Sequence, residues 1–329
     1  MSTWNREATA TATPTATGPT VDSVVIASPL NPPKWSGQSI SWARLADYLE
    51  MTKPKIAVLA LATVTFGYVL ASGTTINRPG LMHALIGITL VAVSSSVLNQ
   101  FLERDTDRRM DRTRNRPMVA GRVTPLEGLV FGLATGVVGT LYLSLFVNLQ
   151  TAILGMLTLA TYVGIYTPLK RTSSYCTTIG AIPGALPPVL GWSAAGGSLD
   201  AGAATLFAIL FLWQFPHFLA IGWLYRSQYE RAGLKMLPAC WANRNLTGAL
   251  AVVYALALLP VSLLPTLFDM AGSAYFAAAI VLGMGYLLCS ILFMVSETRA
   301  SARRLLWSSL LYLPLLLTIL TWDHFQLLR

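Results

Sequence analysis

From residue 54 onward the chain alternates long apolar stretches with short charged or Pro/Gly-rich ones. Nine stretches approach the roughly 20 mostly apolar residues that a bilayer span requires: 54–72, 80–101, 125–147, 149–167, 175–195, 201–223, 246–268, 273–294 and 304–322. Several end on punctuating clusters, "NRPG" at 77–80, "PLKR" at 168–171 and "ANRN" at 242–245. None alternates with the period of two that marks a strand, and in lipid only helices or closed barrels satisfy the backbone. The pattern predicts an all-α polytopic membrane protein of nine transmembrane helices. The charge-rich loops after the second and sixth spans hint at two similar four-helix units plus one extra helix.

The first forty or so residues read differently. "REATATATPTATGPTVDS" is rich in Thr, Ala and Pro, and too poor in apolar residues to bury a core. Residues 1–44 are therefore expected to be a disordered cytoplasmic tail, with the membrane domain at 45–329. The tail has neither the apolar run of a secretory signal nor the basic, acid-poor character of a transit peptide.

Composition fits this picture and excludes its rivals. Of 329 residues, 54% are hydrophobic and 11% charged, against about 25% charged in soluble domains. A soluble fold could not cover its surface, and a disordered chain would need the opposite balance. The formal charge is +9, and its placement points to a membrane surface rather than to nucleic acid. With loops assigned alternately to two sides, 21 Lys and Arg fall on one side and two, Arg78 and Arg329, on the other. The positive-inside rule then puts the N-terminus in the cytoplasm of a bacterial inner membrane and the C-terminus outside. In a mitochondrial inner membrane the equivalent side is the matrix. Cys176, Cys240 and Cys289 are odd in number and far apart, which fits packing rather than a disulfide framework or a metal site.

Chemistry concentrates where the second span reaches the charged side. "VLNQFLERDTDRRMDRTRNRP" sets Asn99, Glu103, Asp107 and Asp111 four residues apart, along one face if the helix continues. Like charges at this spacing repel unless a hard cation lies among them, and Mg²⁺ takes one or two carboxylates together with substrate phosphate oxygens. Around them stand Arg104, Arg108, Arg109, Arg112, Arg114 and Arg116, whose planar forks suit phosphate. Acids for a metal interleaved with arginines for phosphate make a diphosphate site. A topology-setting loop that meets anionic lipid accounts for the arginines but not for the acids.

In "YTPLKRTSSYCTTIGAIPGALPPVLGW", Lys170 and Arg171 either reach a phosphate held by the second span or simply mark the end of their own. The fifth span carries Gly180, Pro183, Gly184, Pro187 and Pro188, which suits a bent helix lining a pocket or close packing through small residues. Gln214 and His217 lie within the sixth span, where polar groups are functional candidates. A neutral imidazole can be a haem ligand or a hydrogen-bonded packing residue. Beyond it, Arg226, Glu230, Arg231 and Lys235 form a second charged patch, and Trp213, Phe215 and Trp223 are either aromatic faces for a cation or plain lipid-belt residues.

Together these segments resemble the UbiA-type intramembrane prenyltransferases. Asn99, Glu103 and Asp107 are similar to the family's N-x-x-x-D-x-x-x-D signature, and Tyr166-x-x-x-Lys170 to a further family mark. "RTRNRP", "YTPLKRTS", "GAIPGALPPVLGW", "WQFPHF" and "RAGLKMLP" resemble the branch of that family that farnesylates haem. The resemblance covers about residues 45–325. It implies a nine-helix bundle with a cavity facing laterally and to the cytoplasm. The implied substrates are farnesyl diphosphate and protoheme IX, and the products are heme O and diphosphate. A downstream haem-modifying enzyme is a further expected partner. The implied cofactor is Mg²⁺ on Asn99, Glu103 and Asp107, with Tyr166 and Lys170 in the catalytic set. Arg104, Arg108, Arg112, Arg116, Lys170 and Arg171 are the expected diphosphate contacts, and His217, Gln214 and Trp213 the expected haem contacts.

Two positions depart from the family. Glu103 stands where most members have Asp. Gln228, a neutral and weaker metal ligand, stands before Tyr229 where the family's second acidic region has Asp, so the second metal position falls to Gln228 or to nearby Glu230. Two alternatives are a prenyltransferase for another acceptor, such as an aromatic quinone precursor, and a polytopic transporter. Transporters hold their polar sites near the midplane, whereas these acids cluster at one face.

Overall fold

The computed structural model describes residues 42–235, 237 and 246–329. The expected tail lies outside the described residues as far as position 41, as do Cys240 and the "ANRN" cluster. Every regular element described is helical.

A short helix α1 (Trp42–Met51) precedes α2 (Pro54–Ala71). Pro54 opens α2, with its fixed φ suited to a first turn. Then comes α3 (Arg78–Asp107), capped by the Asn77 side chain accepting from Gly80 N at 3.1 Å. At 30 residues it is about 45 Å long, well beyond the ~30 Å hydrocarbon core of a bilayer. Its last turns, past the apolar stretch, carry Glu103 and Asp107. Next, α4 (Pro125–Phe146) starts with a Thr124/Glu127 capping box. Glu127 also takes Arg44 of α1 at 2.6 Å. Arg122 holds Asp47 and Glu50, so α1 is pinned beside the charged end of α3 and α4.

The next span, Leu149–Leu169, changes character along its length. It begins as α5 (Leu149–Leu159), widens into a π-helical stretch (Ala160–Tyr166), and ends in α6 (Thr167–Leu169). The fifth expected span, 175–195, is not one continuous helix. It is α7 (Cys176–Ala185) and α8 (Pro187–Ala194), broken at Leu186 because Pro187 and Pro188 supply no backbone N–H. Gln214 Nε2 donates to the Ala181 carbonyl at 2.8 Å inside this broken segment. Gly191 lets α8 lie against α2, since a Cβ there would sit 1.9 Å from the Val64 carbonyl oxygen.

The remaining helices are α9 (Ala201–Leu224), α10 (Arg226–Arg231), α11 (Leu246–Val261), α12 (Leu264–Leu267), α13 (Ser273–Val295) and α14 (Arg299–Leu327). Among the described residues, eight helical segments are long and apolar enough to cross a membrane. The ninth expected span is the α7–α8 pair, which is too interrupted to be counted with them.

Buried apolar side chains gather in two main clusters. The larger joins α9, α11, α13 and α14 around Leu206, Tyr275, Tyr286, Phe293, Leu305 and Tyr312. The smaller joins α2, α3, α4, α5 and α8 around Val64, Ile88, Val91, Leu143 and Leu190. Large apolar side chains also point outward all round, including Val58, Val137, Leu145, Val281 and Leu311. Such a surface is stable only in lipid, and the protein is a multi-pass membrane protein.

Candidate active site

A cavity of about 510 Å³ opens at the charged end of the bundle, between α2, α3, the π-helical stretch, α7 and α9. Its floor is the stripe predicted on α3. Asn99, Glu103 and Asp107 all line it, and all three are buried. Asp111 does not continue the stripe, because α3 ends at Asp107. Instead it is exposed and pairs with Arg114 and Arg231.

Each buried acid has a cation. Lys170 Nζ lies 2.7 Å from Glu103 Oε1 and 4.4 Å from the centre of the Tyr166 ring. Arg116 donates to Asp107 Oδ2. Thr113 Oγ1 ties the loop back to the Asp107 carbonyl at 2.9 Å, which holds Arg116 over the carboxylate. Asn99 Nδ2 donates to Thr167 Oγ1 at 3.0 Å, and this hydroxyl donates to the Tyr162 carbonyl at 2.8 Å. The α3 stripe is thereby fixed to the π-helical stretch, where Tyr162 and Tyr166 form an aromatic wall with ring centroids 5.2 Å apart. Tyr166 lies close over α7 because position 180 is glycine; a Cβ there would come within 2.5 Å of the ring.

Sequence reasoning missed Lys53. It caps α2 in a left-handed conformation, with φ 52°, and lines the cavity. Its Nζ donates to Asn99 Oδ1 at 3.3 Å. A non-glycine residue held in this region costs about 1–3 kcal/mol and usually marks a functional constraint. Burial, with Arg116 and Lys170 close by, pulls its ammonium down to about 7. Burial also works to lower the Lys170 pKa, but Tyr166 and Glu103 outweigh it and hold that ammonium above the usual lysine range. The available signal was a pair of cations, Lys53 and Lys55, where the first span begins, on the same side as the acids. Tyr162, Thr113 and Thr177 also line the cavity without having been singled out.

The arginines divide. Arg112 and Arg116 line the cavity, with the Arg112 guanidinium 4.9 Å from the centre of the Tyr225 ring. Arg104 turns back to the Phe101 carbonyl, Arg171 reaches the Leu102 carbonyl, and Arg108 is exposed, so none of these three lines the cavity. Gln228 and Glu230 of α10 do not line it either, whereas Tyr229 does. On α9 the lining residues are Phe218, Ile221 and Gly222. Gln214 faces α7. Trp213 Nε1 donates to the Ser309 carbonyl at 2.9 Å, and His217 Nδ1 meets Ser309 Oγ at 2.7 Å, so both face α14.

Asp107 Oδ1 and Thr177 Oγ1 are buried cavity-wall oxygens with no partner among the described residues. No cluster of three or more His, Cys, Asp or Glu is found among the described residues. What the site offers a cation is mixed: the free Asp107 oxygen, the Glu103 carboxylate and the Asn99 amide oxygen. This set is incomplete alone but suits Mg²⁺, which fills its shell with water and substrate phosphate oxygens.

Residues 60–315 match the UbiA prenyltransferase family. A protoheme IX farnesyltransferase from Solibacter usitatus (strain Ellin6076) is 42% identical over 289 residues, covering 85% of this chain and 99% of that protein. A digeranylgeranylglyceryl phosphate synthase shares the fold with a TM-score of 0.73 at 16% identity, over 86% of this chain and 99% of the other. A UbiA homolog from Archaeoglobus fulgidus, bound to DMAPP and Mg²⁺, gives a TM-score of 0.56 at 15% identity, over 85% and 99%. The chain belongs to the UbiA prenyltransferase family.

Proposed function

We infer that the protein joins the farnesyl group of farnesyl diphosphate to a vinyl group of protoheme IX, giving heme O and diphosphate. The observation that carries this reading is the buried Asn99–Glu103–Asp107 stripe with its cations, in a chain 42% identical to a protoheme IX farnesyltransferase. The cavity cations are Lys53, Arg112, Arg116 and Lys170, against Glu50, Glu103 and Asp107. Two of them, Lys170 and Arg116, already neutralise the buried acids. A diphosphate entering here would meet carboxylates at close range unless a divalent cation were held by Asn99, Glu103 and Asp107. The Archaeoglobus fulgidus homolog's DMAPP and Mg²⁺ support the same assignment.

When bound, Mg²⁺ would supply a Lewis acid for the departing diphosphate. Lys170 and Arg116, held at the acids, are placed to turn to the phosphate oxygens as charge builds on them. The allylic C–O bond breaks and its electron pair leaves with diphosphate. The terminal vinyl carbon of the porphyrin then bonds to C1 of the farnesyl group. Water captures the cation left on the inner vinyl carbon and releases one proton, giving a hydroxyethyl-farnesyl side chain. Tyr162 and Tyr166 form the aromatic wall beside which the allylic cation would arise, and the buried wall limits its premature capture by water.

The charged end of the bundle is the cytoplasmic one in this reading, in the inner membrane of a bacterium. The product would pass to a downstream haem-modifying enzyme. The test is haem extraction from host membranes with and without the gene, followed by mass measurement. A gain on haem equal to farnesyl plus hydroxyl is expected. Unaltered haem, with the protein inserted and intact, would overturn the reading.

A further inference from the structure

The short helix α1 is two-faced. Arg44, Asp47, Tyr48 and Met51 fall at helical spacing on one side and hold it to the bundle. Arg44 pairs with Glu127 at 2.6 Å and Asp47 with Arg122 at 2.6 Å. Tyr48 meets the Phe131 ring edge-on, with centroids 5.1 Å apart, and Met51 is fully buried. On the opposite side, Trp42, Leu45 and Leu49 form an apolar stripe at spacings of three and four, exposed at 86%, 42% and 54%.

The partners of the packed side show how far along the bundle α1 lies. The Met51 carbonyl accepts from Ser96 Oγ at 2.9 Å and from Gln100 Nε2 at 2.7 Å. Met51 also shares an apolar cluster with Val93, Val97 and Phe131. All of these belong to the apolar stretches 80–101 and 125–147, so α1 lies beside the spans rather than beyond their ends. Its outward stripe is continuous with apolar side chains that already face lipid. Ile56 and Leu59 stand exposed just beyond it on α2, and Leu126 and Val130 do so on α4, next to the Arg44–Glu127 pair. A stripe of Trp and Leu on a helix whose polar groups are satisfied on the other side suits the boundary between headgroups and acyl chains, where Trp is favoured.

We propose that α1 is an interfacial helix that docks Trp42, Leu45 and Leu49 into the phospholipid leaflet on the side of the acids. The lipid presses the helix against α3 and α4 and thereby steadies the turn at Thr52 and Lys53, whose amides donate to Tyr48 and Glu50 of the last turn of α1. The bilayer is thus part of the wall that holds Lys53 at the cavity. This stands independently of which acceptor the enzyme uses.

The experiment uses the full chain in phosphatidylcholine–phosphatidylglycerol liposomes, with Cys176, Cys240 and Cys289 replaced by Ala. A nitroxide is attached at Leu45→Cys, Leu49→Cys or, as a lipid-facing reference, Val281→Cys. Collisions with oxygen should exceed those with a water-soluble nickel chelate by about tenfold at 45 and 49, as at the reference. Labels open to the nickel chelate would place the stripe in water and overturn the proposal. Labels shielded from both quenchers would mean that protein covers the stripe and would also overturn it. Relief on dilution would then identify a second copy as the cover, and relief on deleting residues 1–40 the chain's own start. In the double variant Leu45→Asp with Leu49→Asp, amide exchange at Thr52 and Lys53 should speed about tenfold, since local opening is no longer opposed by lipid. Exchange unchanged from wild type, with the variant inserted, would show that the leaflet does not hold this turn and would overturn the proposal.

Discussion

Lys170 and Glu103 meet at 2.7 Å although 67 residues separate them in the chain, and both are buried. A pair so placed is costly to break from one side only, because the survivor is left as an unpaired buried charge, roughly 3–5 kcal/mol. Lys170→Met should therefore lower the thermal midpoint as well as turnover, the latter by about a hundredfold or more through lost charge stabilisation. The double variant Glu103→Gln with Lys170→Met should regain most of the stability and none of the activity. Recovery of both together would mean that the pair serves the fold alone.

Asp107 Oδ1 has no partner among the described residues. Asp107→Ala should cut turnover roughly a thousandfold, in keeping with the several kcal/mol a metal contributes to such charge, while the protein still inserts in the membrane. A titration with Mg²⁺ decides the point. Near-normal activity at saturating Mg²⁺ would remove Asp107 from the metal shell.

Lys53 sets a pH dependence whose sign can be worked out. Its ammonium is pulled to about 7 in the folded protein, against an ordinary 10.5. Between those values the unfolded chain holds a proton that the folded one has shed, so stability should rise with pH across this window. In Mg²⁺-free protein the unfolding midpoint should climb from pH 7 towards 10 more steeply in wild type than in Lys53→Met. At pH 6.5 the variant should also bind the diphosphate analogue about tenfold more weakly, since one charge-assisted contact is worth about 1.5–3 kcal/mol. Parallel stability curves for the two proteins would refute the burial argument.

The 21-to-two division of Lys and Arg predicts opposite fates for two reporters. One fused after Arg329 should be exposed outside, and one inserted in the 226–244 loop should face the cytoplasm. Finding both on the same side would break the alternating assignment.

Much of the fold was legible because lipid imposes its own length and composition on a span. Eight of the nine expected stretches correspond to long helices, and the ninth announced its interruption through Pro183, Pro187 and Pro188. The α3 stripe was legible for a similar reason, since spacing by four has one meaning on a helix. It held only to Asp107, because nothing in the spacing itself shows where a helix ends. The arginines could not be sorted in advance. Whether Arg116 or Arg108 turns inward depends on the loop path that Thr113 fixes. Lys53 was hidden because its role needs a left-handed backbone before Pro54 and a neighbour 46 residues away. Trp213, Gln214 and His217 share a short motif but not a direction, and only packing against α7 and α14 divides them.

The π-helical stretch gives its span a residue of slack. A wide turn of this kind holds one residue more than an α-turn while the segments on either side keep their registers. Losing one residue from Ala160–Tyr166 would close the turn and leave α5 and Lys170 where they are. Chain length can thus drift at the place where this span faces the cavity, and the aromatic wall can be reshaped by insertion or deletion as well as by substitution. Selection for a bulkier or slimmer acceptor would have a ready point of adjustment there, one turn from Lys170.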